Sequence, residues 1–589
     1  MKQNSRHRSF MRIAPYAIPG ALHLLLFISF TACTTETKSF VPGKSKAAFD
    51  YFSYKGDDDI YKENPLTSDD MFYNPILPGW YSDPSICTNG EDYFLVTSTF
   101  AYFPGVPIFH SRDLVNWKQI GHVLNRPSQL VNLDDRHIGR GIFAPAISYN
   151  KHNQTYYLIT TNVSAGNFFV KTKDPFGEWS EPIPLPEVGG IDPSFFFDED
   201  GSAYIVNNDG MDGKELYEGH RSIRIHEFDA VNDKTTGKVK MIVNGGVNLA
   251  EKPIWIEGPH LYKINGKYYL IAAEGGTSIQ HSEVVFISDS PMGDYKPWNK
   301  NPILTQRHLS PDRPNPVTCT GHADLIQTKE GDWWAIFLAC RPIDNEFENL
   351  GRETFIMPVK WSEDGFPYMA QGEETVPFVL QRKGVVRDKT VTFGNFDRQD
   401  DFNEDSLAYE WMTLRAPATD LYSLTENKGY LTLNCSEVKA SEMKTPAFVT
   451  RRIQHHKFTC ETGMYFNPSD DNESAGLMIF KNETNQLFLN VHQKDGKKYV
   501  SLTRTNGKII DGKPDFKTED MQTALLSVKD GKKIRLKIIS EGKAFDFYYA
   551  VEDGEWQLLT KDIDASSLST AVAGGFTGTT IGMYAVRNK

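Results

Sequence analysis

A chain of 589 residues is too long for one hydrophobic core, so two or more domains are expected. Its formal net charge is −13, from 63 basic and 76 acidic residues, and no basic stripe runs along the sequence. Because binding to phosphates requires clustered cations, the composition excludes nucleic acid as an expected partner.

Residues 1–32 have the pattern of an export signal. Basic residues come first, and an apolar run around Ala21–Phe30 follows that is too short for a stable membrane span. Small residues then precede Cys33, as in a bacterial lipoprotein cleavage site; an ordinary secretory signal is the alternative. Lipidation of Cys33 would tether the protein to a membrane of the bacterial cell envelope, on the periplasmic or the outer surface. Without it, the protein would be secreted.

Residues 33–70 are predicted to be a polar linker, because they include the acidic run Asp57-Asp58-Asp59 and show no clear periodicity. Beyond Cys33, five cysteines remain, and none has CxxC spacing. A disulfide framework or a zinc site is therefore not expected from the remaining cysteines, which are Cys87, Cys319, Cys340, Cys435 and Cys460.

Between residues 71 and 385 a module of short strands occurs five times. Each copy has two strand-like runs joined by a turn rich in Gly, Asn or Asp, then a third strand, and several copies add a fourth. Repeated units of four strands are typical of propeller blades, so an all-β chain with a five-bladed β-propeller is predicted here. The copies begin at Asp83-Pro-Ser-Ile, Ala144-Pro-Ala-Ile, Asp192-Pro-Ser-Phe, Gly258-Pro-His-Leu and His322-Ala-Asp-Leu.

The start of each repeat predicts a shared site. The first strand of a propeller blade lines the central channel, so residues at its start converge from different blades at one mouth. Asp83, Asp192 and Glu257 (the residue before Gly258) would bring three carboxylates together there, beside the imidazole of His322. Separate turn-capping acids are the alternative, but three at one structural position are hard to explain in that way.

Residues 395–589 are predicted to form a second domain. Short alternating strands are separated by turn signals such as Asp495-Gly496 and Asp530-Gly531, a spacing typical of an antiparallel β-sandwich.

Five motifs stand out in the repeat region: Asn74–Ile86, Phe103–Trp117, Gly190–Phe195, Ile256–His260 and Leu350–Thr354. Together they resemble glycoside hydrolase family 43, in particular its two-domain β-xylosidases and α-L-arabinofuranosidases. The resemblance runs from about Met71 to the C-terminus and implies a five-bladed propeller followed by a sandwich. In that family a loop of the sandwich narrows the mouth of the active site, and Phe576 is the candidate for this loop; core packing is its alternative.

Glycoside cleavage needs one protonated carboxyl to donate to the leaving oxygen and one ionised carboxyl on the opposite face of the sugar. The resemblance implies that Asp83 is the general base and Glu257 the general acid. Asp192 would raise the pKa of Glu257 and orient it, because a like charge nearby disfavours ionisation. No cofactor is required for this chemistry.

The resemblance also implies substrate-binding residues. Arg352 would bind adjacent sugar hydroxyls, with an ion pair to a propeller acid as the alternative. His322 would help to hold a cation, such as a structural Ca²⁺, or a water network, with a satisfied core histidine as the alternative. Phe100 and Phe143 would form hydrophobic walls of the sugar pocket, although many relatives carry Trp at the position of Phe143.

The expected function is an exo-acting, inverting hydrolase that releases β-D-xylose or α-L-arabinofuranose from hemicellulose oligosaccharides, such as xylan, arabinoxylan, arabinan or xyloglucan side chains. An endo-acting arabinanase has the same catalytic trio, but usually has an open groove and no comparable sandwich. The sequence signatures of fructan-cleaving propellers are missing. A non-catalytic carbohydrate-binding propeller, or a structural scaffold, would not need three axial acids.

Overall fold

The computed structural model describes residues 40–388, 390–391, 394–510 and 512–588. The predicted signal peptide and Cys33 lie outside these residues. The regular secondary structure of the described chain is almost entirely β-strand, with helices only at Asp59–Glu63 and Thr570–Ala573 and short 3-10 turns at Pro127–Gln129, Leu249–Glu251 and Ser566–Leu568. No helix in the described part of the chain is long and apolar enough to cross a membrane.

Five antiparallel sheets follow one another between residues 85 and 358, a stretch that the structure describes in full. The second strand of each sheet is buried except at its ends, and Thr155–Asn162 is buried along its whole length, because its two faces pack against neighbouring sheets. This explains the uninterrupted apolar runs of the repeats. The strands are Ser85–Thr88, Tyr93–Val96, Gly105–Ser111 and Lys118–Leu124 in the first blade; Ile142–Asn150, Thr155–Asn162, Gly166–Thr172 and Ile183–Pro184 in the second; Ile191–Phe197, Ala203–Asp209, Ser222–Asp229 and Lys234–Asn244 in the third; Glu257–Ile264, Lys267–Glu274, Ser282–Ser288, Lys296–Pro297 and Leu304–Thr305 in the fourth; and Thr318–Gln327, Trp333–Cys340 and Glu353–Pro358 in the fifth.

The first strands of these sheets contact one another in chain order, and the strand of the fifth sheet contacts that of the first. The contacts therefore form a closed ring around one axis, as in a propeller. Met71–Tyr73 pairs with Val379–Gln381, which joins the two ends of this region. A further small hairpin consists of Lys360–Trp361 and Pro367–Tyr368.

The remaining strands form a sandwich of two antiparallel sheets with a continuous apolar core between them. The predicted all-β class, a propeller combined with a sandwich, is confirmed. One sheet contains Tyr422–Ser423, Leu431–Asn434, Lys46–Gly56, Lys457–Asn467, Ile534–Glu541, Ala544–Val551 and Gln557–Asp564, with Asp397–Asp400 also paired to Lys46–Gly56; the other contains Ala447–Arg452, Thr580–Arg587, Glu473–Asn482, Asn485–Lys494, Lys497–Ile510 and Lys513–Leu526.

The prediction of a polar linker over residues 33–70 is wrong for Lys46–Gly56. This strand lies inside the sandwich sheet, where it pairs with Lys457–Asn467 on one side and with Leu431–Asn434 on the other. Phe49 and Phe52 are buried in the sandwich core. Local sequence does not reveal the strand, because its partners follow it by several hundred residues and charged residues flank it.

The propeller and the sandwich also share a small sheet. Tyr102–Phe103, from the first blade, pairs with Thr413–Leu414, and Met412 forms a bridge with Thr450 of the sandwich. An apolar cluster that includes Trp80, Tyr102, Phe448 and Tyr584 packs at this junction. The sandwich therefore packs against the first blade, which carries Asp83.

Candidate active site

The five equivalent repeat positions share an unusual backbone conformation. The φ angle is +52° at Asp83, +23° at Ala144, +53° at Asp192, +55° at Gly258 and +51° at His322. In the second to fifth blades the strand register shifts at this position. A left-handed residue at a bulge re-aims its side chain relative to the normal alternation of a strand, and Asp and His tolerate this region better than most residues. The repeats therefore share a left-handed position, with a bulge in the second to fifth blades, that directs Asp83, Asp192, His322 and, beside Gly258, Glu257 towards the axis.

These side chains line one cavity of about 680 Å³. All the residues predicted for catalysis and substrate binding lie around it, and Cys33 alone among the predicted site residues falls outside the described chain. The lining includes Asp83, Phe100, Phe143, Asp192, Glu257, His322, Arg352 and Phe576.

Asp83 is held by two side chains, and a third lies near it. The hydroxyl of Ser98 donates to Asp83 Oδ2 at 2.6 Å, and Arg352 Nη1 lies 3.0 Å from Asp83 Oδ1. His322 Nδ1 is 4.0 Å from the same Oδ1 atom. The alternative for Arg352, an ion pair with a propeller acid, is observed. Its side chain also lines the cavity, and binding to sugar hydroxyls stays a prediction. The carboxylate of Asp83 is fixed in one orientation, as a group that activates a water must be.

Asp192 and Glu257 share a dry, acidic environment. The backbone N–H of Gly258 donates to Asp192 Oδ2 at 3.3 Å. Burial and the nearby charge of Asp83 raise the pKa of Asp192 to about 7. Burial and the charge of Asp192 raise the pKa of Glu257 well above its usual value. Burial and like charge thus outweigh the opposing effect of the Arg352 and Arg221 guanidiniums on the pKa of Glu257, so Glu257 keeps its proton near neutral pH.

His322 lies against the backbone of the neighbouring blade. A Cβ atom on Gly258 would come within 2.8 Å of His322 Nε2, so this position requires glycine for space as well as for its positive φ. Burial lowers the pKa of His322 to about 4, which leaves the imidazole neutral. Among the described residues, His322 belongs to no group of three or more metal-ligand side chains. Ca²⁺ takes six to eight oxygen ligands, which can include backbone carbonyls and waters, and a structural Ca²⁺ near His322 stays a prediction.

The structure brings together one group of potential metal ligands that the cysteine spacing did not predict. Cys319, Cys340 and Glu348 bring three ligand atoms within 4.8 Å of one another, and Cys319 Sγ lies 3.5 Å from Glu348 Oε1. A hydrogen bond with Cys319, together with burial, raises the pKa of the Cys340 thiol well above its usual value. These three side chains are therefore a potential metal-ligand group, in which burial favours the protonated thiol of Cys340 when no metal is bound.

Three aromatic rings form one side of the cavity, which we call the phenylalanine wall: Phe100, Phe143 and Phe576. The ring centres of Phe100 and Phe143 are 5.6 Å apart, and those of Phe143 and Phe576 are 5.7 Å apart, both edge to face. Phe100 and Phe576 stack at 6.2 Å. The guanidinium of Arg352 lies 5.4 Å from the centre of the Phe576 ring. Phe576 comes from the sandwich, so the second domain supplies part of the cavity.

The sequence did not predict a second cluster beside Glu257. The guanidinium of Arg221 stacks 4.3 Å from the ring centre of Trp255 and forms an ion pair with Glu215, and all three residues line the cavity. These residues lie outside the repeated strands, in a loop of the third blade and just before the fourth. The position of Trp255, two residues before Glu257, was the one feature of the sequence that could have indicated this cluster.

A propeller with buried carboxyls from three blades around one cavity has the arrangement of a glycoside hydrolase. Residues 72–367 match the family described as Glycosyl hydrolases family 43, and residues 399–589 match the Beta xylosidase C-terminal Concanavalin A-like domain. The chain belongs to glycoside hydrolase family 43.

Characterised relatives and solved structures agree with this assignment. A "Xylosidase/arabinosidase" of Butyrivibrio fibrisolvens is 39% identical over 531 residues, which cover 87% of this chain and 96% of the relative. A "Non-reducing end alpha-L-arabinofuranosidase" of Bacteroides ovatus is 33% identical, covering 90% of this chain and 94% of the relative. A crystal structure described as a GH43_12 from a capybara gut metagenome superposes with a TM-score of 0.85 at 42% identity, covering 92% of this chain and 99% of that one.

Proposed function

We propose that this protein is an exo-acting, inverting glycoside hydrolase that releases a single terminal pentose, β-D-xylose or α-L-arabinofuranose, from hemicellulose-derived oligosaccharides. The observation that carries the proposal is the group of three buried carboxyls, Asp83, Asp192 and Glu257, around one cavity that the sandwich helps to enclose. The names of the relatives support both pentoses. The substrates would be side chains or ends of xylan, arabinoxylan, arabinan or xyloglucan.

In the proposed reaction, Glu257 protonates the glycosidic oxygen as the bond to the anomeric carbon breaks. Asp83 takes a proton from a water that attacks the same carbon from the opposite face, so the configuration inverts. The raised pKa of Glu257 keeps its proton available near neutrality. Asp192 maintains that raised pKa through its charge. The chemistry needs only carboxyls and water, so no cofactor takes part.

The phenylalanine wall favours exo action. Phe576 and its neighbours place apolar rings at one side of the cavity, where a continuing polysaccharide chain would need an open groove. An endo-acting arabinanase would require such a groove. A non-catalytic carbohydrate-binding propeller has no use for three buried carboxyls, because holding them together costs desolvation and charge repulsion.

The configuration of the first product tests the reaction class. With nitrophenyl β-xyloside and nitrophenyl α-arabinofuranoside as paired substrates, NMR during the first turnovers should show the anomer opposite to that of the substrate. The substrate that is released faster identifies the preferred pentose. Initial formation of the retained anomer would contradict the proposed mechanism, and release of long oligosaccharides from a linear polymer would contradict exo action.

Asp192→Asn should move the basic limb of the pH profile of kcat/KM to lower pH. The charge of Asp192 raises the pKa of Glu257, so removing that charge lets Glu257 lose its proton earlier as the pH rises. Asp200→Asn is the matched control, because Asp200 is exposed in the same blade, and its profile should coincide with that of the wild type. A basic limb that stays in place in Asp192→Asn would show that Asp192 does not tune the acid.

We also propose that the mature protein is acylated at Cys33 and attached to a membrane of the bacterial envelope. The order of basic, apolar and small residues before this cysteine supports the proposal. Fractionation of cells that express Cys33→Ala should find the protein outside the membrane fraction, whereas Cys435→Ala, which leaves the cleavage site intact, should behave like the wild type. Equal membrane association of the Cys33→Ala variant and the wild type would exclude Cys33 as the anchor.

A further inference from the structure

A hairpin turn of the sandwich lies in the interior of the protein. Strands Glu473–Asn482 and Asn485–Lys494 are joined by Glu483-Thr484, and residues 481–485 are all at most 1% exposed. Connecting turns normally lie at the surface. Burial of a lysine and a glutamate is costly unless both are paired, so the partners of Lys481 and Glu483 indicate what this turn does.

Lys481 and Asn482 hold the segment that carries Phe576. Lys481 Nζ donates to the backbone carbonyl of Thr577, the residue after Phe576, and to the hydroxyl of Thr570 at 3.1 Å. Asn482 Nδ2 donates to the carbonyl of Ala573 at 3.2 Å. The turn therefore forms hydrogen bonds to the chain on both sides of Phe576. The two residues after Ala573 are glycines with positive φ, which have no side chains of their own to fix the segment.

Glu483 holds the other two members of the wall through the propeller. Its Oε1 accepts from the backbone N–H of Ile138 at 2.9 Å and pairs with the guanidinium of Arg415. The backbone N–H of Arg415 donates to the carbonyl of Ala101 at 2.7 Å, and the N–H of Ala101 donates to the carbonyl of Ile138 at 3.1 Å. Ala101 follows Phe100 directly, and Ile138 begins the segment that leads to Phe143.

We propose that Lys481 and Glu483 are positioning residues for the phenylalanine wall, and that this buried turn sets how tightly the cavity fits the terminal pentose. The inference rests on the proposed function and extends it to residues that do not touch the sugar. A wall that is fixed before binding needs no ordering when the substrate arrives. Because such a wall contacts the sugar in the ground state and the transition state alike, its loss should act mainly on KM.

Kinetics of Lys481→Met test the proposal, since methionine keeps an unbranched side chain but cannot donate to Thr577. We expect KM for the preferred nitrophenyl pentoside to rise about tenfold, the upper end of the scale of one lost hydrogen bond, while kcat changes much less. Phe576→Ala should show the same pattern. The double variant should be little worse than Phe576→Ala alone, because both changes remove the same wall.

Lys498→Met is the matched control. Lys498 is a buried lysine of the same sheet, ion-paired with Asp530 at 2.8 Å, and it lies outside the residues that line the cavity. Its substitution should lower the melting temperature without changing KM. A rise in KM as large as that of Lys481→Met, or additive effects of Lys481→Met and Phe576→Ala, would overturn the proposal.

Two further variants complete the test. If Lys481→Met does not fold, Thr570→Val removes one partner of Lys481, and it should raise KM about twofold and couple to Phe576→Ala; an unchanged KM would overturn the proposal. The effects of Glu483→Gln and Phe143→Ala on KM should also be less than additive in the double variant. Additive effects would show that Glu483 is not a positioning residue of the wall. If the wild type cleaves pentosides but the effects of the paired variants on KM are additive, only this inference is overturned. If the wild type cleaves no pentoside, the proposed function is overturned as well.

Discussion

Asp83→Ala should lose nearly all turnover with every pentoside, whatever the leaving group. In the proposed mechanism no other ionised carboxylate can take the proton of the attacking water, and positioned general bases contribute roughly 10²–10⁴-fold to rate. Azide should restore part of the activity with a nitrophenyl substrate, since this anion attacks the anomeric carbon without deprotonation. The measurements are kcat with and without azide, and the configuration of the glycosyl azide that forms.

Asp83→Asn separates chemistry from structure. The amide keeps the size of the carboxyl and can still accept from Ser98, which donates at 2.6 Å in the wild type, but it cannot serve as a base. Both variants should therefore be inactive, and Asp83→Asn should melt closer to the wild type. If Asp83→Asn kept a tenth or more of wild-type turnover, Asp83 would not be the base.

The loss of kcat/KM in Glu257→Ala should depend on how much the leaving group of the substrate needs a proton. A nitrophenol leaves readily as an anion, so the loss with nitrophenyl glycosides should be small. A sugar leaving group needs full protonation, so with oligosaccharides the loss should approach the roughly 10²–10⁴-fold contribution of a general acid. The comparison is kcat/KM on the two substrate classes at several pH values.

Glu274→Ala is the control for this prediction. Burial also raises the pKa of Glu274, which ends the second strand of the same blade, but Glu274 lies outside the residues that line the cavity. Its substitution should show no dependence on the leaving group. An equal loss on both substrate classes in Glu257→Ala would mean that Glu257 is not the proton donor.

The sequence could predict the axial site because the same position recurs at the start of each repeat. Asp83, Asp192 and His322 occupy the same left-handed position in the first, third and fifth blades, so aligning the repeats was enough to bring them together. Their partners could not be predicted in this way. The pairing of Arg352 with Asp83 crosses from the last blade to the first, and it depends on closure of the ring.

The sandwich was harder to predict, because its organisation depends on contacts between distant residues. Alternating strands were visible after residue 395, but Lys46–Gly56 is a single strand whose partners lie elsewhere in the chain. The buried turn at Glu483 has an ordinary polar hairpin sequence, and only the packed domains reveal its partners. Phe576 was identified through the family resemblance, which the structure supports by placing it in the cavity.

The strand Lys46–Gly56 makes the propeller an insertion within the sandwich. The ribosome produces this strand before any blade, but its partners Leu431–Asn434 and Lys457–Asn467 emerge only after the propeller is complete. The second domain therefore cannot close until the chain is nearly finished, and the apolar residues Phe49 and Phe52 stay without their final neighbours until then. A fragment cut at residue 399, where the family match begins, would lack an inner strand of its sheet, so the two domains cannot be separated by a single cut.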